Sequence, residues 1–124
     1  MKKIDENHIA LALAWLAAGL TLGILAKVAS MPYLAAAGAQ ALGLAFPVTA
    51  FAGLIYRFFP LMKQSKLAKP QFAMLEAGLA LLVAGSAVQA SGGLADMQDF
   101  GSVITLGGVV LLALIWLRER APRA

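Results

Sequence analysis

The chain has 124 residues, 61% hydrophobic and 13% charged, with ten Lys and Arg against six Asp and Glu and no Cys. Soluble domains carry about 25% charged residues, so an ordinary soluble domain is excluded, and without Cys so are disulfides, thiolate metal sites, iron–sulfur clusters and cysteine nucleophiles. The net charge of +4 lies beside apolar stretches, where it sets topology and attracts anionic lipid rather than nucleic acid.

Four spans are predicted, at residues 9–29, 33–56, 71–90 and 101–117. The first three have the ~20 apolar residues that cross ~30 Å of hydrocarbon at ~1.5 Å per residue. The first run exceeds the ~7–15 residues of a signal-peptide core, and Asp5 and Glu6 interrupt its basic start, so it reads as a span rather than a cleaved leader. Asn7 is its expected N-cap, with Asp5 and Glu6 near the positive end of the helix dipole. Gly19 and Gly23 stand four apart, extended by Ala14 and Ala18, and this spacing predicts a packing seam. Trp15 reads as packing. His8, the sole histidine, reads as an interfacial residue at the inner edge of this helix. The alternative for His8 is one axial haem ligand, paired with its copy across a dimer.

Met31, Pro32 and Tyr33 form a short turn into the second span, where Ala37, Ala41 and Ala45 make a second small-residue seam. Gln40, roughly 12 Å inward from Pro32 by the helical rise, reads as interhelical hydrogen-bond glue, or as a group orienting a ligand or a water. Pro47 cannot donate to the Gly43 carbonyl, which predicts a kink over residues 43–46. Pro60 and Pro70 bracket a basic loop. The third span holds Glu76, about 7–8 Å from the inner end counted from Gln71. Ala80 and Ala84 follow at i+4 and i+8, so the carboxylate is expected to face the bundle. It is a candidate proton or cation carrier, or else a bond to a neighbouring helix. The connection over residues 91–102 has Asp96 and Asp99 and no basic residue, and the fourth span ends at Trp116 and Arg118.

Nine of the ten basic residues fall on one side of these spans: Lys2, Lys3, Arg57, Lys63, Lys66, Lys69, Arg118, Arg120 and Arg123. Lys27 alone lies opposite, where its stem can snorkel. The positive-inside bias then puts both termini in the cytoplasm. The expected fold is all-α: a single four-span domain, an up-down four-helix bundle of the inner or plasma membrane. No metal-ligand cluster, hydrolase elbow, P-loop or dinucleotide fingerprint occurs, so no enzyme is expected and no cofactor is assigned.

Phe51-Ala52-Gly53-Leu54-Ile55-Tyr56-Arg57-Phe58-Phe59-Pro60 resembles the end of the second helix of haem–copper oxidase subunit I, and more closely that of small four-helix proteins similar to part of that subunit. Lys66-Leu67-Ala68 and Glu76-Ala77-Gly78-Leu79 fit the layout of those small proteins, and the likeness covers residues 31–90. In that family the outer half of this helix carries an H-x-H-x-N type motif whose histidine supports haem ligation; here Gly38 and Gln40 occupy the two histidine positions. The resemblance therefore implies the scaffold without its haem. Small multidrug transporters are a class-level comparison; they depend on a glutamate in the first helix, whereas here the span glutamate is in the third.

The leading expectation is a non-enzymatic membrane scaffold or accessory subunit that packs with itself or with a larger membrane complex. The alternatives are a small oligomeric transporter or proton/cation conduit using Glu76, and a b-type haem protein using His8. Cysteine labelling at Ser65 and Gly93 is expected to report opposite sides of the membrane, with Ser65 cytoplasmic; labelling of Ser65 from outside reverses the orientation.

Overall fold

The computed structural model describes residues 3–119. Lys2, Arg120 and Arg123 of the charge argument lie outside the described residues. Four helices form: α1 (Ile4–Val28), α2 (Tyr33–Phe58), α3 (Ala68–Ala90) and α4 (Asp96–Glu119), with a 3₁₀ turn at Pro60–Gln64 between α2 and α3. All four are long and apolar enough to cross a membrane, and there is no strand among the described residues.

Three helix starts differ from expectation, α3 beginning at Ala68 and not at Gln71. α1 begins at Ile4, so Asn7 is not its cap; the Asn7 N–H bonds the Lys3 carbonyl at 2.9 Å as part of the first turn. α4 begins at Asp96, which draws Asp96 and Asp99 into its first turn, where the helix dipole favours carboxylates. The α3–α4 connection is therefore only residues 91–95. Both connections at this end close in the same way. After α1, Ser30 has φ 54° and the Met31 N–H reaches the Ala26 carbonyl at 3.2 Å. After α3, Gly92 has φ 96° and the Gly93 N–H reaches the Val88 carbonyl at 2.8 Å. A residue in the left-handed region followed by this bond satisfies a terminal carbonyl and turns the chain back.

The expected break before Pro47 takes the form of a π turn at Ala41–Ala45, whose closing bond runs from the Phe46 N–H to the Ala41 carbonyl. The ring of Pro47 displaces the Gly43 carbonyl, and a wider turn absorbs the strain without ending the helix. Ala37, Ala41, Ala45, Thr49, Ala52 and Tyr56 remain on one buried stripe through this change.

α1 meets α2 through small residues. A Cβ added at Gly19 would stand 2.6 Å from Leu42 Cγ, and one at Gly38 would stand 3.1 Å from the Gly19 carbonyl. Gly23 differs: an added Cβ there meets nothing, and only its backbone nitrogen approaches Gly38. Ala14 is exposed, and Ala12 is the alanine buried beside Gly19.

The tightest seam lies elsewhere, between α3 and α4. A Cβ at Gly78 would collide with the Thr105 backbone, and one at Gly85 with that of Gln98. One at Gly101 would stand 2.6 Å from the Leu82 nitrogen, and one at Gly108 2.7 Å from Leu75 Cα. Each helix offers two glycines seven residues apart, which is two turns, so both lie on one face and the backbones close together. Ala80 and Ala84, expected on the buried face of α3, are exposed. The outward faces are apolar, with Ile24, Phe51, Phe58, Phe100, Val103 and Leu106 each more than half exposed. Hydrocarbon, not water, suits such a surface.

Gly78→Ala is expected to lower unfolding stability in detergent by about 1–3 kcal/mol through overpacking. Gly23→Ala is expected to leave it unchanged or raise it by up to about 1 kcal/mol through helix propensity. Equal effects of the two substitutions would show that the α3–α4 seam is not a close contact.

Candidate functional site

Glu76 lies in the third turn of α3. Because α3 starts at Ala68, the residue is about 12 Å along the helix from its first residue, deeper than counting from Gln71 gives. Its two carboxylate oxygens have different partners. Trp15 Nε1 of α1 donates to Oε2 at 2.9 Å, and Thr49 Oγ1 of α2 donates to Oε1 at 2.8 Å. Trp15 is thus more than packing: its indole N–H, which would otherwise lie unpaired in an apolar interior, ends on the carboxylate. The inward orientation of Glu76 comes from these two donors and not from an alanine face.

A second polar layer lies seven residues away on α1 and α2, about 10 Å along their axes. His8 of α1 is fully buried. Its ring stacks on Tyr56 with centroids 5.4 Å apart and meets Phe72 edge-on at 4.8 Å. Tyr56 Oη donates to Gln71 Oε1 at 3.0 Å, and Gln71 Nε2 donates to the Gly108 carbonyl at 3.4 Å, a long bond that reaches α4. Neither His8 nitrogen has a hydrogen-bond partner among the described residues. The expected interfacial place for His8 is therefore corrected. α1 starts at Ile4, so His8 is already in its second turn and faces the other helices.

One turn below, Asp5 is 4% exposed and holds two cations. Arg57 Nε at the end of α2 donates to Oδ2 at 3.3 Å, and Lys63 Nζ of the 3₁₀ turn lies 3.2 Å from Oδ1. Asp5 therefore pins the start of α1 to the end of α2 and to the turn after it.

Gln40 is far from all of these. It is half-buried and lines a crevice of about 570 Å³ with Ser86, Gln89 and Gln98, where α2, α3 and α4 meet at the opposite end from Asp5. Gly19, Ala37, Ala41 and Ala45 are buried in the α1–α2 seam, and Gly23 is half-buried at its edge. Sequence reasoning missed Asp5, Thr49, Tyr56 and Gln71. The signal that marks two of them is the seven-residue spacing shared by His8–Trp15 and Thr49–Tyr56. No group of three or more His, Cys, Asp or Glu suited to a metal ion occurs among the described residues.

Comparison of the chain with protein-family models, with curated proteins and with solved structures gives no match.

The bonds to Glu76 make a testable unit. Trp15→Phe is expected to cost about 0.6–2 kcal/mol of stability in detergent, the scale of interhelical hydrogen bonds in membranes. In a Glu76→Leu background the same substitution should cost about 0.5 kcal/mol less or better, because the acceptor is already gone. Strict additivity in this double-mutant cycle would show that the Trp15–Glu76 bond contributes nothing.

Proposed function

We propose that the chain is a non-enzymatic integral membrane scaffold or accessory subunit, similar to a haem-less oxidase-subunit-I-like protein. In this reading it sits in the inner or plasma membrane with adjacent helices alternating up and down and both termini cytoplasmic. It works by packing with itself or with a larger membrane complex. One observation carries the reading: the intramembrane carboxylate has each oxygen taken by a neutral donor from a different helix. A carboxylate used in this way ties α1, α2 and α3 together. The charge asymmetry supports the orientation, and the Gly53–Pro60 resemblance supports the oxidase-like frame.

A second reading makes the chain a small oligomeric transporter or a proton/cation conduit using Glu76. It is favoured by the stacking of polar side chains from Asp5 through His8 and Gln71 toward Glu76 on neighbouring turns. A haem held by His8 across a dimer fits less well, because the imidazole is enclosed by Tyr56 and Phe72 of its own chain. Ligation would require the ring to leave that place.

Proteoliposomes separate the first two readings. The scaffold reading expects wild-type flux of protons, alkali cations and lipophilic cations no greater than that of empty liposomes. Reproducible flux that Glu76→Gln abolishes, with the fold intact, would establish the conduit in its place.

A further inference from the structure

The bundle is not closed. α4 packs along α3, while the second half of α2 packs chiefly on α1. Between α2 and α4 lies a groove of about 820 Å³, walled by Phe51 and Ile55 on one side and Val109, Ala113 and Trp116 on the other, with Leu75 of α3 as its floor. Every lining side chain is a hydrocarbon or an aromatic ring. At one end Phe59 meets Trp116 edge-on, with centroids 6.0 Å apart.

We infer that this groove is a binding site for an anionic phospholipid, with an acyl chain in the groove and the phosphate at its Phe59–Trp116 end. The length and lining of the groove suit an acyl chain. From Pro47 to Phe59 it runs twelve residues, about 18 Å. An alkyl chain, about 4 Å wide at carbon contact distance, lies along it against side chains of its own chemistry. Lipid is also the solvent of this surface, so the groove fills without the ordering cost of a protein partner.

Charge selects the headgroup. The end of the molecule that carries Phe59 and Trp116 holds Lys3, Arg57, Lys63, Lys66, Lys69 and Arg118 against Asp5, Glu6 and Glu119. The opposite end holds Lys27 against Asp96 and Asp99. The 3₁₀ turn bearing Lys63 packs against α4 near its last turns, where Arg118 follows Trp116 by two residues. An anionic phosphate is attracted to this end and a zwitterionic headgroup much less. The inference stands apart from the scaffold reading, since a conduit with the same fold would carry the same groove.

The test uses the full chain in nanodiscs of mixed phosphatidylglycerol and phosphatidylcholine, extracted in mild detergent and weighed by native mass spectrometry. Wild type is expected to retain one phosphatidylglycerol per chain and to melt higher in phosphatidylglycerol than in phosphatidylcholine. Ala113 is exposed and lines the groove, so Ala113→Trp should fill it and lower the retained fraction about tenfold, the factor set by ~1.4 kcal/mol. Where that variant does not fold, Val109→Phe fills the same space from one turn away. Arg118→Gln is expected to reduce the preference for phosphatidylglycerol while leaving lipid bound. Three results overturn the inference: no retained lipid on wild type, equal retention by the groove-filling variants, or a wild-type dimer that those variants convert to monomer. The last would make a helix of a second copy the occupant.

Discussion

A polar side chain in hydrocarbon has to find its partner within the protein, and this requirement organises the first three helices. Glu76 has its two donors on α1 and α2, and the Tyr56 hydroxyl has its acceptor on α3. Moving any one of these helices by a turn would leave a carboxylate oxygen, an indole N–H or a phenol unpaired in a medium that offers nothing in exchange. The hydrogen bonds are individually modest, about 1 kcal/mol, but the cost of losing them falls on specific alternative registers. They act on specificity more than on net stability.

Close approach supplies the attraction those bonds do not. Lipid tails are as apolar as leucine, so helices gain by excluding lipid only where backbones come near enough for dense van der Waals contact. The paired glycines of α3 and α4 permit this, and so does the Gly19–Gly38 contact between α1 and α2. The second half of α2 has no such partner on α4. Its π turn and Pro47 carry it toward α1, where Gly53 lies against Asp5 and His8. The apolar groove is the consequence: two tight helix pairs joined along the polar face of α3, with a gap where α2 and α4 would otherwise meet.

Asp5 shows how the extramembrane charges enter this scheme. Arg57 and Lys63 read as topology signals in the sequence, yet in the fold they also close the bundle at the basic end by holding one buried carboxylate. The two roles do not conflict. A cation at the end of a span is also at the level where an interfacial carboxylate needs a partner.

Hydropathy and span length are local properties, summed over about twenty neighbouring residues, so the sequence alone determined that the chain has four helices fit to cross a membrane. It also determined the break before Pro47, because the missing N–H and the ring clash act within one turn. What the tertiary structure decided is non-local. Glu76 was visible as an anomaly, but its donors lie 61 and 27 residues away, and neither Trp15 nor Thr49 is unusual in a membrane helix. His8 looked interfacial because four charged residues, Lys2, Lys3, Asp5 and Glu6, precede it; the fold makes Asp5 a buried partner and carries His8 into the core. The small-residue seams show the same division. A four-residue spacing marked Gly19 and Gly23, but glycine is common in such helices, and which glycines meet a backbone depends on the facing helix. The deepest contacts went to Gly78, Gly85, Gly101 and Gly108, spaced by seven, because residues two turns apart lie on one face of a helix and meet the backbone of the helix packed along it.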